Sequence, residues 1–509
     1  MDDRFDDRLP PAENPLLECC ATSLAAMIAR KEVSSRDVVD AFLDRIDAVN
    51  EHVRAVCWPL FDQARAAAQA ADERQARGES VGPLHGVPVT IKECFHIAGT
   101  PSTMGLTTLA DAMQSAEGPL VSRLKSAGAI VLGKTNVPQL MILHETENPL
   151  CGRTTNPRDL ARTPGGSSGG EGAIIAARGS PLGLGSDLGG SIRIPAHFCG
   201  VCGIKPSSFR LTKSGTVENM RGMEALQFQP GPLARRVKDL DLALRVMTGG
   251  RDWATDGFVT PADWPDFRQL EIAKLNVGVI RDDGYAAPHL AVRRAVDEAA
   301  SALSDAGANV KDIEPPDVEE GMELYFAIVG ADGAADLREL AAGSELDRRV
   351  RAILRLGGVS GWRRRAMAAG LRWQGQTQLA NLVAAAGPRS AHAYWQTAHA
   401  AKQYARNYLA SLAQNNIDAI VCPPHARPAF VHGQGGPPSL IDASYAFIMN
   451  LLGLPCGVVP WTNVSAGEGE AAEAGLPIGV QVAAGPWRED IVLKVLQVLE
   501  DNRPTASCG

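Results

Sequence analysis

The chain lacks an apolar run of the about 18 residues that a bilayer crossing takes, so no spanning helix is expected in its 509 residues. It also lacks a secretory start. The N-terminus, MDDRFDDRLPPAENP, is polar and acidic, where a signal needs a basic opening and an apolar stretch. A cytoplasmic protein is the expectation. There is no basic excess. Lys and Arg number 50 against 58 Asp and Glu, a net charge of −8, which argues against a general nucleic-acid binder. At 45% hydrophobic the chain can bury a large core, and disorder is not expected. Aromatics are scarce at 5%, so that core must pack largely on alanine, glycine and aliphatics. Ten cysteines are too few for a disulfide scaffold in a chain of this length. Cys199 and Cys202 have C-x-x-C spacing, but no second ligand pair of similar spacing follows, so they read as packing residues and no metal is expected. Lysine is rare as well: 11 of the 50 basic residues. A lysine in an apolar setting therefore stands out.

What is present reads as α/β. Apolar positions Val38, Val39, Phe42, Ile46 and Val49 recur at helical spacing within 22–50, where Thr22, Ser34 and Ser35 offer caps. Further helices are expected at 61–77, 120–127, 289–306, 390–414 and 489–500. Short apolar runs at 87–91, 129–132, 274–280, 418–424, 453–461 and 476–484 read as buried strands. SAGEGEAAEAG (465–475) reads as an exposed loop. This alternation predicts a mixed sheet covered by helices on both faces. Length alone would allow about three domains.

Two motifs match on paper and fail on context. GAIVLGKT (128–135) fits the P-loop pattern, but its central residues are an apolar β run, and backbone amides tied into a sheet cannot cradle phosphate. GGSSG (165–169) fits the nucleophile elbow around Ser167, but the polar, proline-containing TTNPRDLARTP stands where a strand is needed. What remains is Lys92 at the end of VPVTI, the serine pair in GGSSGG, and Ser191 in SDLGGSIR. Burial lowers a lysine pKa towards the range of a general base. Two glycines before a serine can turn several N–H groups to one side, as an oxyanion requires. Alone, Lys92 could equally point to water or pair with Glu93, and Gly-Gly-Ser could be an ordinary loop.

Together these residues resemble the amidase signature family. The matching stretches are GVPVTIKECF (86–95), GKTNVPQ (133–139), PGGSSGGEGA (164–173) and GSPLGLGSDLGGSIRIPAHFCGVCGIKPS (179–207), with LDRIDAVN (43–50) and GLPIGVQVAAGPW (475–487) outside them. NVPQ followed by NPLCGRT, and the SPLGLG and FCGVCG stretches, favour the fatty acid amide hydrolase branch. The resemblance spans nearly the whole chain and implies one domain, 1–509, with an N-terminal helical part (1–80), a signature core (81–250) and a basic amphipathic cap (348–383). It implies Ser191 as nucleophile, Ser167 as bridging serine after a cis peptide at Gly166, and Lys92 as general base. It further implies an oxyanion hole from the N–H groups of Leu188, Gly189, Gly190 and Ser191. Ser168, Asp187 and Arg193 would position the triad, and Met141 and Trp487 would meet substrate. Ile142 and Ile194 stand where a mammalian member carries aromatics along its acyl channel. The implied reaction is hydrolysis of N-acyl amides, and of esters, through an acyl-enzyme without cofactor or metal. The alternatives are a broader aryl-acylamidase, polyamidase or urethanase, or one subunit of a glutamine amidotransferase. Homodimers are common in the family. Residues 348–372 hold eight arginines, no acid and interleaved apolar residues, a pattern suited to peripheral contact with anionic lipid or to a solvated or dimer face.

Overall fold

A computed structural model describes residues 6–79, 81–249, 254, 256–260 and 262–504. Of the ten cysteines, Cys508 lies outside these residues. Among the described residues are thirteen strands: β1 Val56–Pro59, β2 Pro88–Lys92, β3 Ile130–Thr135, β4 Glu147–Asn148, β5 Gly152–Arg153, β6 Leu182–Asp187, β7 Cys202–Lys205, β8 Gln229–Ala234, β9 Asn276–Val279, β10 Asn309–Asp312, β11 Ala419–Cys422, β12 Cys456–Asn463 and β13 Pro477–Ala484. Eleven form one sheet in the order β1-β3-β2-β6-β8-β7-β12-β13-β11-β9-β10, while β4 and β5 pair by themselves. The sheet is mixed. β2 runs parallel to β3 and β6, β9 to β10 and β11, and the remaining neighbours are antiparallel.

Every residue of β2, β3, β6, β7, β8, β11 and β13 is buried, so both sheet faces are covered, as the continuous apolar runs predict. One continuous sheet spanning residues 56 to 484 makes a single domain, not three. The 128–135 segment is a strand, which disposes of the P-loop reading. No strand runs directly into Ser167, which disposes of the elbow. The stretch 22–50 is two helices, Ala21–Ala29 and Ser35–Val53, because Ser34 and Asp37 form a capping box that starts the second. The N-terminal part is not purely helical, since β1 forms the sheet edge beside β3.

The arginine-rich segment is also divided. It forms helices Arg348–Gly357 and Gly361–Trp373, followed by Thr377–Ala385. Two of its eight arginines face inward. Arg349 pairs with Glu145 (2.7 Å), Glu147 (2.9 Å) and Asp347 (2.9 Å), pinning the cap to the chain beside the serine tract. Buried Arg364 donates to the carbonyls of Leu356, Gly357 and Val359, satisfying the end of the preceding helix. The other six remain exposed, with Trp362, Met367 and Trp373 among them. No described helix is long and apolar enough to cross a membrane.

Candidate active site

The site is assembled at the ends of two adjacent parallel strands, β2 and β6. Lys92 is the last residue of β2 and is fully buried. Its Nζ lies 2.8 Å from Ser167 Oγ, 3.0 Å from Ser186 Oγ and 3.2 Å from the Ser186 carbonyl oxygen. Burial pushes its pKa down to about 8, against the opposing pull of Cys94, Asp187, Glu171 and Glu93. A neutral amine has two N–H groups and one lone pair. The Ser186 carbonyl can only accept, so one of the two hydroxyls must donate to the lone pair. In its neutral form the amine could therefore take up a proton from one of these hydroxyls.

Ser167 follows Gly166 through a cis peptide and precedes the helix Gly169–Ala176. Gly166 has to be glycine: a Cβ there would lie 2.5 Å from the Leu143 carbonyl oxygen. Ser168 Oγ donates to the Ser186 carbonyl (3.2 Å), and its N–H donates to the Ser191 carbonyl (3.0 Å), tying the two serine segments together. Glu171 is wholly buried on that helix. It accepts from Thr90 (2.6 Å) and Thr135 (2.8 Å), and burial pushes its carboxyl up to about 8.

Residues 187–193 form the turn that presents Ser191. Asp187 accepts from the N–H groups of Gly190 (2.8 Å) and Ile192 (3.0 Å) and from both Nε and Nη2 of Arg193 (3.0 Å each). Burial favours its neutral form, but the Arg193 charge and these hydrogen bonds outweigh it and hold the carboxyl below its usual range. Arg193 is itself fully buried, and Gln481 (2.7 Å), Asn450 and the Ala446 carbonyl (3.1 Å) satisfy its remaining N–H groups. Gly190 has φ +93°, a conformation that suits glycine. Its N–H is committed to Asp187, so of the four N–H groups expected to receive an oxyanion this one is already engaged.

Ser167, Ser186, Ser191, Leu188 and Gly189 line a cavity of about 230 Å³. Met141 and Ile142, two of the four residues expected along the substrate path, line it too. Its far walls come from the helix Val318–Val329 and from the cap, through Phe326, Val329, Ile353, Leu356, Leu382 and Val383. The cap therefore shows apolar residues to the cavity and six of its eight arginines outward. Two expected contacts are not brought to the cavity. Ile194 is wholly buried behind Gly190, where a Cβ would come 2.7 Å from its Cδ1. Trp487 stacks on Arg210 with the guanidinium carbon 4.6 Å from a ring centre, and Arg210 in turn pairs with Glu489 (2.8 Å). Trp487 braces the last helix instead of lining the channel.

Sequence reasoning missed Ser186, although it adjoins Asp187 in the same glycine-rich tract. Asn450 and Gln481 carry no local signal. Burial alone does not single out Lys92 either. Lys134 and Lys205 are equally enclosed, and burial pushes Lys205 to about 8 as well. Lys205 donates to the Pro206 carbonyl (2.8 Å) and Lys134 to Ser102 (2.9 Å), and neither bonds a serine that lines the cavity. Cys199 and Cys202 are buried, and their thiols donate to the carbonyls of Pro164 and Arg235. Among the described residues no cluster of His, Cys, Asp and Glu could hold a metal ion.

Comparison with known proteins agrees with this architecture. The Amidase family model matches residues 37–493. The chain is 33% identical over 507 residues to fatty-acid amide hydrolase 1 of Sus scrofa, covering 95% of this chain and 86% of that protein. It is 36% identical over 346 residues to an acetamidase of Emericella nidulans, covering 66% of this chain and 63% of that protein. A solved fatty acid amide hydrolase superposes with a TM-score of 0.84 at 26% identity, covering 97% of this chain and 86% of that one. With its mixed sheet, its buried lysine against a serine and its family match over most of its length, the chain belongs to the amidase signature family of amide-hydrolysing enzymes.

Proposed function

We propose that this enzyme cleaves the C–N bond of N-acyl amides with an apolar acyl group, and the corresponding esters, through Ser191, Ser167 and Lys92. The observation that carries the reading is the Lys92–Ser167 contact at the floor of an apolar cavity into which Ser191 also opens. Neutral Lys92 takes the Ser167 proton as Ser167 takes that of Ser191, and Ser191 Oγ bonds to the carbonyl carbon. The N–H groups of Leu188, Gly189 and Ser191 receive the oxyanion. Collapse breaks the C–N bond as Ser167 gives its proton to the departing amine and Lys92 returns one to Ser167. Water, deprotonated through the same relay, then releases the acid from Ser191. No metal or cofactor enters the scheme. A fluorophosphonate is expected to label one site, mapping to Ser191, and Ser191→Ala should abolish both label and turnover. Label on Ser167, or label surviving in the variant, would overturn the assignment.

The cavity wall bears on the substrate class. No Asp, Glu, Lys or Arg is among the described residues lining it. Glutamine would bring an ammonium and a carboxylate with no partners there, so the amidotransferase reading fits poorly. Burial of acyl methylenes is worth about 0.8 kcal/mol each, so kcat/KM should rise about fourfold with each carbon until the channel is filled. Rates that ignore chain length would favour an aryl-acylamidase or related amidase instead.

The outer face of the cap supports peripheral membrane contact. The same cap that lines the channel exposes six arginines together with Trp362, Met367 and Trp373. Sedimentation with phosphatidylglycerol vesicles, but not with phosphatidylcholine vesicles, is the expected result. Absence from both pellets would leave the arginines to solvent or to a second copy of the chain.

A further inference from the structure

Two side chains outside the reaction hold the turn that bears the oxyanion donors. The Leu188 carbonyl accepts from Tyr325 Oη at 3.1 Å, and the Gly189 carbonyl is bonded to His144 Nε2 at 2.9 Å. The residues come from separate parts of the chain, His144 from the segment after the 3₁₀ turn Gln139–Met141 and Tyr325 from the channel-wall helix Val318–Val329. Both are buried, both line the cavity, and Phe447 packs against both rings, with centroids 5.6 Å from His144 and 4.7 Å from Tyr325. A Cβ on Gly189 would lie 2.4 Å from Phe447 and 2.9 Å from Tyr325 Oη, so only glycine allows this approach.

The donors are assigned by chemistry. A carbonyl can only accept, so the His144 proton sits on Nε2. Burial pushes the His144 pKa down to about 4, so the ring is neutral and this is its single N–H. Burial also keeps Tyr325 protonated.

The consequence follows from the planar trans peptide, in which C=O and N–H point in opposite directions. Fixing the Leu188 carbonyl on Tyr325 turns the Gly189 N–H the other way, as one of the three donors left for the oxyanion. Fixing the Gly189 carbonyl on His144 turns the Gly190 N–H onto Asp187, where it is found. We infer that His144 and Tyr325 are positioning residues that clamp the 188–190 peptides and thereby aim the Gly189 N–H at the developing oxyanion. Because Tyr325 shares a helix with Phe326 and Val329 of the channel wall, the clamp also ties the oxyanion site to the acyl channel. The inference rests on the proposed Ser191 mechanism.

The test uses the full-length enzyme and the isosteric variants Tyr325→Phe, His144→Gln and His144→Asn. The amide nitrogen of Gln reaches the place of Nε2, whereas that of Asn reaches only the place of Nδ1. Tyr325→Phe and His144→Asn should lower kcat about tenfold, short of the ~10²–10³ lost when an oxyanion donor is deleted outright. KM should stay within about twofold, and His144→Gln should keep kcat within about threefold of wild type, since ground-state binding does not use the oxyanion donors. A trifluoromethyl ketone bearing the same acyl chain, which forms a tetrahedral adduct on Ser191, should lose affinity by the same factor as kcat. The product acid should not. Wild-type kcat and ketone affinity in Tyr325→Phe, losses confined to KM, or equal activity of the Gln and Asn variants would overturn the clamp. Turnover surviving in Ser191→Ala would instead overturn the mechanism beneath it.

Discussion

Replacing Lys92 with alanine is expected to cut amide turnover by ~10³–10⁴-fold and ester turnover by about tenfold to a hundredfold, the range a positioned acid–base group supplies. The asymmetry is chemical. Both substrates need Ser191 activated, but only an amide needs a proton delivered to a poor leaving group. Equal losses on both would remove Lys92 from the relay. The active form is the neutral amine, and burial sets its pKa near 8, so kcat/KM should rise with pH and level off above about 8. Lys205 is the internal control. It is as buried, and its pKa is also about 8, yet it touches neither serine. The inflection should persist in Lys205→Met and disappear from the residual activity of Lys92→Ala. Stability carries the same sign. Between pH 8 and 10.5 the unfolded chain binds a proton at Lys92 that the folded chain does not, so this residue's cost to folding is full below pH 8 and falls as pH rises.

The second large effect is structural. Arg193→Met should destabilise the fold by ~3–5 kcal/mol, because it leaves the Asp187 carboxylate buried without its counter-charge. Removing both charges, in Asp187→Asn/Arg193→Met, should recover part of that stability, read as a higher denaturant midpoint than the single variant shows. It should not recover turnover, because Asp187 also fixes the Gly190 and Ile192 N–H groups of the turn. A double variant no more stable than the single one would mean that the pair matters by shape and not by charge. The Asp187 carboxyl is held below its usual range, so its contribution is complete at neutral pH. It fades only as pH falls below about 4 through the depressed value.

Much of this is legible before folding. Lys92 ends an apolar run, and Ser167 and Ser191 lie within one glycine-rich tract whose tight turns need glycine whatever the rest of the chain does. The P-loop and elbow patterns fail on neighbouring residues alone, and the sheet bears out both failures. The errors have a common cause. Helical spacing over 22–50 runs straight through a capping box, and the eight arginines read as one outward face, because periodicity does not say which side of a helix meets a carboxylate. Arg349 turns inward only because Glu145 and Glu147 stand across from it.

The sequence by itself marked six of the strands, among them β2 and β3, and the glycine turns, since these depend on neighbours along the chain; β6, β7 and β8, rich in glycine and proline, carried no apolar run to mark them. Tertiary structure alone decided which of three buried lysines meets the serines that line the cavity, because strand order, not chain order, sets β6 beside β2. It alone placed Ser186 under Lys92, His144 and Tyr325 on the turn before Ser191, and Trp487 away from the channel. Each of these is a contact between segments that only the closed sheet and its covering helices bring within hydrogen-bonding or stacking distance.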